Sequence, residues 1–144
     1  MLKGRIQSAE VSYLAHATED KDRLAAAVER MLKVSAPEVA ELEGHHGNKI
    51  LHIRYHATGE AAAAIFDRIV AGLEPETRKE IATSLQAMTD EHGALYVRLD
   101  KQTLFKGKLK IGGRDSLRVR IKPRLFLLKE GAKEFYREAF EKRE

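Results

Sequence analysis

Apolar and cationic side chains alternate strictly from Leu117 to Lys122, with Leu117, Val119 and Ile121 set against Arg118, Arg120 and Lys122. A β-strand sends successive side chains to opposite faces, so this period predicts a strand with one apolar and one cationic face. The same alternation sets Lys106, Lys108 and Lys110 against Phe105, Leu109 and Ile111. Between the two runs lies the turn-forming cluster Gly112-Gly113-Arg114-Asp115, so they are expected to pair as an antiparallel hairpin with six cations on one face.

The preceding chain reads as support for that surface. Gly4 to Ala17 predicts a strand in which Val11, Tyr13 and Ala15 alternate with Glu10, Ser12 and Leu14; Ile6 and Ala9 do not keep one phase, which suggests a bulge. Thr18 is expected to cap a helix with Glu19 and Asp20 in its first turn, Leu24, Val28, Met31 and Leu32 on one stripe, and an end near Val34. Glu41 to Asn48 reads as a turn-rich connection. Lys49 to Ala57 predicts a second strand, with Leu51, Ile53 and Tyr55 facing a core and His52, Arg54 and His56 facing away.

Thr58 then caps a helix carrying Ile65, Phe66, Ile69, Val70 and Leu73 at helical spacing. Pro75 opens a third helix, with Ile81, Leu85 and Met88 inward and Gly93 as its stop. A strand from Leu95 through Arg98 leads into the basic region, and Phe135, Ala139 and Phe140 predict a last helix after Gly131. This order predicts an α+β fold, a two-layer sandwich with helices on one face of a mainly antiparallel sheet and the basic face open to solvent.

Charge sharpens that picture. Arg98 to Lys129 holds eleven Lys or Arg against two Asp, a net of +9, while the remaining chain holds fifteen cations against twenty carboxylates, a net of −5. A cationic stretch on an otherwise acidic body is the footprint of a polyanion partner, although a solvated face or a guarded sheet edge can look the same. At 144 residues and 16.2 kDa the chain suits one domain spanning residues 1–144. The absence of cysteine excludes disulfides and thiolate metal sites and fits a reducing compartment. No apolar run approaches a membrane span or a signal-peptide core, so the expected location is cytoplasmic, with no membrane partner.

Several residues invite chemistry. His16-Ala17-Thr18 and His56-Ala57-Thr58 resemble the paired motif of two-histidine phosphoesterases, but a helix cap accounts for each threonine and the helix order does not match. His45 and His46 sit between glycines, where a phosphate or a metal could be held; no carboxylate or third histidine stands at ligand spacing, so contact with RNA backbone is the preferred reading and no metal or cofactor is expected. Gln102 offers a donor and an acceptor to a base edge or ribose hydroxyl. Tyr96, Phe105 and Phe126 are the only rings in the basic region, which favours shape and phosphate recognition over base stacking. The RNA-binding set expected from sequence is therefore Arg54, Arg98, Lys101, Gln102, Lys106, Lys108, Lys110, Arg118, Arg120 and Lys122, with His45, His46 and Asn48 at the rim. The competing reading is a protein-interaction subunit that docks an acidic partner.

His16-Ala-Thr-Glu19, Gly44-His-His-Gly-Asn48, Asp100-Lys-Gln102 and Val119-Arg-Ile-Lys-Pro123, in that order over nearly the whole chain, resemble the small archaeal family of predicted exosome-associated RNA-binding proteins. The resemblance implies a fold similar to the large-subunit ribosomal protein that holds 5S rRNA, a role in binding structured RNA, and exosome or ribosomal components as partners. It supplies no catalytic residues, and a non-enzymatic protein is expected.

Overall fold

The computed structural model of the chain describes residues 4–44, 47–124 and 127–142. Five strands, β1 (Ile6–His16), β2 (Glu38–Glu43), β3 (Lys49–Thr58), β4 (Leu95–Asp100) and β5 (Ser116–Pro123), form one sheet in the order β2-β3-β1-β5-β4. Every neighbouring pair is antiparallel. The helices are α1 (Lys21–Leu32), α2 (Gly59–Gly72), α3 (Pro75–Thr83), α4 (Leu85–Met88), α5 (Lys101–Leu104) and α6 (Leu128–Lys142). The result is an α+β two-layer sandwich with an open five-stranded sheet, as the periodicity predicts.

One face of the sheet is apolar because the odd positions of β1, β3, β4 and β5 are. Val11, Tyr13, Ala15, Ile53, Tyr55, Val97, Leu99, Val119 and Ile121 lie buried in one core with Leu24, Val28, Phe66, Ile69 and Tyr136 from the helices. Phe66 meets Phe135, Tyr136 and Phe140 at ring separations of 5.7, 5.9 and 5.7 Å, which ties α2 to α6. The Tyr55 hydroxyl donates to Glu29 at 2.9 Å and fastens α1 over the central strands. The phase disturbance near the start of β1 is real: pairing with β5 slips between Ile6 and Ser8, a bulge that lets both Ile6 and Ala9 point inward.

Three expectations are corrected. The stretch around Lys106 to Lys110 is not a strand paired with β5. Gly107 adopts φ +73° in a turn that closes α5, where its N–H donates to Leu104 O and the Lys108 N–H to Thr103 O, so the extended run cannot start there. β4 pairs with β5 instead, and the later residues only skim β4's outer edge through Leu99 and Ile111. Second, the chain between α1 and β3 contains β2, whose residues are all exposed, so no inward face imposed an alternation that could be read. Third, Asp20 rather than Thr18 caps α1, its carboxylate accepting from the Arg23 N–H, while Thr58 stands at the N-cap of α2 without a side-chain hydrogen bond.

Candidate nucleic-acid interface

Strand register fixes which side chains share the open face. One row across the sheet runs Glu38, Arg54, Ser12, Arg118, Arg98; the next runs His56, Glu10, Arg120, Tyr96; a third holds Thr58, Ser8 and Lys122. Leu14 pairs with His52, which extends the face toward the end of β1. The phase expected for Arg54, Arg118, Arg120 and Lys122 therefore holds, and Arg98, opposite Arg118, joins them on one surface.

The carboxylates on that surface are already engaged. Arg54 reaches Glu10 at 3.5 Å and Glu38 at 3.3 Å. Asp115, at the entry to β5, binds Lys101 at 2.8 Å. Among the described residues no carboxylate lies within ion-pair distance of Arg98, Arg118 or Arg120, and Arg98 stands directly opposite Arg118. Like charges facing across a strand pair destabilise it by about 0.2–1 kcal/mol, so this face carries positive charge that the protein itself does not neutralise.

Lys101 is a correction. It is 2% exposed, and its ammonium donates to Leu14 O at 2.7 Å and to Glu19 at 3.1 Å besides its pair with Asp115. With three oxygens around it, it cannot reach a phosphate; it joins β1, the turn after it and the entry to β5. Burial works against the Asp115 carboxylate, yet the Lys101 ammonium and the neighbouring His16 outweigh it and hold its pKa below the ordinary value. His16, Glu19 and Asp115 bring potential ligand atoms within 4.8 Å of one another, the donor set of a metal site, but the Lys101 ammonium already supplies a cation to both carboxylates.

The other expected residues are dispersed. Lys106, Lys108 and Lys110 are exposed on the segment beyond β4, at the edge of the sheet rather than opposite β5. Gln102 is exposed on α5, and exposed Asn48 lines a shallow depression with His16 and Thr18. His45 and His46 lie outside the described residues, as does Phe126. His16 pairs with Ile50 and His56 with Glu10, which separates the two imidazoles by six residues of β1, roughly 20 Å, so they cannot serve one phosphate ester. Arg114 was legible only as a turn residue. It lines a pocket of about 90 Å³ with Ser12, His52, Asp115 and Arg118, and no periodicity could have aimed it there.

Comparison with known proteins gives the arrangement its context. A family model described as RNA binding matches residues 8–123. The RNA-binding protein PAB1135 of Pyrococcus abyssi is 31% identical over 91% of this chain and 92% of its own length. Among solved structures, SSO0741 from Sulfolobus solfataricus superposes with a TM-score of 0.71 at 26% identity, covering 90% of this chain and 96% of its own. Mth689, a DUF54 protein from Methanothermobacter thermautotrophicus, shares the fold with a TM-score of 0.79 at 24% identity, covering 94% and 98%. The unneutralised arginine face thus lies inside the matched segment, and the chain belongs to this RNA-binding family.

Proposed function

We propose that the chain is a non-enzymatic RNA-binding protein whose open sheet face holds phosphates through Arg98, Arg118, Arg120 and Lys122. Lys106, Lys108, Lys110, Gln102 and Asn48 extend the contact at the edges, and Arg54 takes part once Glu10 and Glu38 release it. The carrying observation is the Arg98–Arg118 pair, two guanidiniums opposed without a carboxylate while nearby acids are bound elsewhere. The Pyrococcus abyssi relative, itself named an RNA-binding protein, and the family model support the same reading. An accessory role beside an RNA-degrading exosome or a ribosomal component, and kinship with the ribosomal protein that holds 5S rRNA, follow from the motif resemblance and are part of the proposal.

The test is a titration of structured RNA at several salt concentrations. Each phosphate contact removed lowers the slope of log affinity against log salt by about 0.7–0.9, so Arg118→Ala and Arg120→Ala should each flatten it by that amount. Unchanged affinity and slope in both variants would refute the assignment. Equal displacement by heparin and by an acidic protein would favour the protein-docking alternative.

A further inference from the structure

Tyr96 is 45% exposed on the open face and Ile111 is 44% exposed on the segment beyond β4, two of the few large apolar side chains left to solvent. Both line one cleft of about 500 Å³, together with Ala87 and Met88. The tyrosine ring is held in place. Its hydroxyl donates to Asp90 at 3.0 Å, and Asp90 also accepts the N–H groups of His92 and Ala94, each at 2.9 Å. The Thr89 hydroxyl is likewise committed, to Leu85 O at 2.7 Å. What the cleft offers a ligand is therefore mainly ring and aliphatic surface.

The cleft does not stand alone. Tyr96 and Arg98 also line a neighbouring trough with Arg118 and Arg120, so one wall serves both depressions. On that side the Arg120 guanidinium sits 5.9 Å from the ring centre. A ligand that fills both spaces must combine a flat apolar body with adjacent negative charge, and a nucleotide in an RNA strand does so. In a duplex the base faces are covered by their stacked neighbours, so only an unpaired nucleotide can enter.

We propose that the cleft between Tyr96 and Ile111 seats one unpaired nucleobase, stacked against the Tyr96 ring, with its flanking phosphates on Arg98 and Arg118. This rests on the RNA-binding reading and specifies its ligand as single-stranded or bulged RNA. It also revises the expectation that shape and phosphate recognition are favoured over base stacking. Because the hydroxyls of the slot are engaged within the protein, the seat reads the face of a base rather than its edge and should tolerate any of the four.

The full chain is titrated with a short fluorescent single-stranded RNA, with the same strand carrying abasic sites, and with the strand annealed to its complement. Tyr96→Ala should weaken single-strand binding by about tenfold, within the range of base–aromatic stacking, and leave the salt slope unchanged. The abasic strand should not distinguish the variant from the parent, and Tyr96→Phe should keep most of the affinity. Tyr96→Leu, which retains apolar bulk without the ring, gives the same readout should alanine loosen β4. Parent-like binding by Tyr96→Ala and Tyr96→Leu, with Arg118→Ala still weakened, overturns the base seat and leaves the phosphate reading standing. Tighter binding of the duplex than of the single strand also overturns it, and no binding to any RNA overturns both.

Discussion

At the scale of single residues, Lys101 marks the limit of reading charge as surface. It follows a strand and precedes a glutamine, a context in which a lysine is ordinarily solvated, yet it is buried beneath Glu19, Asp115 and Leu14 O. Removing one partner of a fully buried pair costs about 3–5 kcal/mol. Asp115, however, is 54% exposed and can hydrate once abandoned, so Lys101→Met should lower the unfolding free energy by only about 2 kcal/mol, less than that range. Chemical denaturation checks this, and a variant as stable as the parent would mean that Lys101 does not hold β1 and the entry to β5 together. By contrast Arg98, Arg118 and Arg120 were legible one by one, since each alternates with a buried neighbour on its own strand.

At the scale of elements, strands with one buried and one exposed face announced themselves and the others did not. β3 carries the alternation from Ile53 to His56 and β5 from Leu117 to Pro123, and there the structure keeps their phase. β2 is exposed on both faces, so nothing in its composition had to alternate. The stretch from Phe105 to Ile111 alternates, but Gly107 turns it and only Ile111 bridges to β4. Its docking depends on Gly112, whose N–H donates to Arg98 O at 2.8 Å and where a Cβ would stand 2.6 Å from the Asp100 nitrogen. Gly112→Ala should therefore push the segment off β4, destabilise the fold by about 1–3 kcal/mol and speed amide exchange at Asp100. Unchanged exchange at that amide would mean the backbone absorbs the methyl.

At the scale of the whole molecule, two aspartates tie separate elements together and predict how the fold responds to acid. Burial disfavours the Asp90 carboxylate, but hydrogen bonds from Ala94, His92 and Tyr96 outweigh it, and its pKa, like that of Asp115, falls below the ordinary 3.8. In the unfolded chain both groups take up protons at higher pH than in the folded one. Stability from them is thus complete above 3.8 and lost as pH falls through the lower folded values. Urea unfolding as a function of pH should show that decline, and it should be shallower in Asp90→Asn; an identical acid profile would refute the role of these hydrogen bonds.

The order of most elements, the apolar face of the sheet and the cationic character of β5 were determined by the sequence itself, because side-chain periods of 2.0 and 3.6 are local properties of the chain. Which strand pairs with β5, that Lys101 is consumed by Glu19 and Asp115, and that Tyr96 and Ile111 line one cleft beside three arginines were decided only by the tertiary structure. Those facts depend on contacts between residues far apart in sequence, and alternation along one segment carries no information about what will face it.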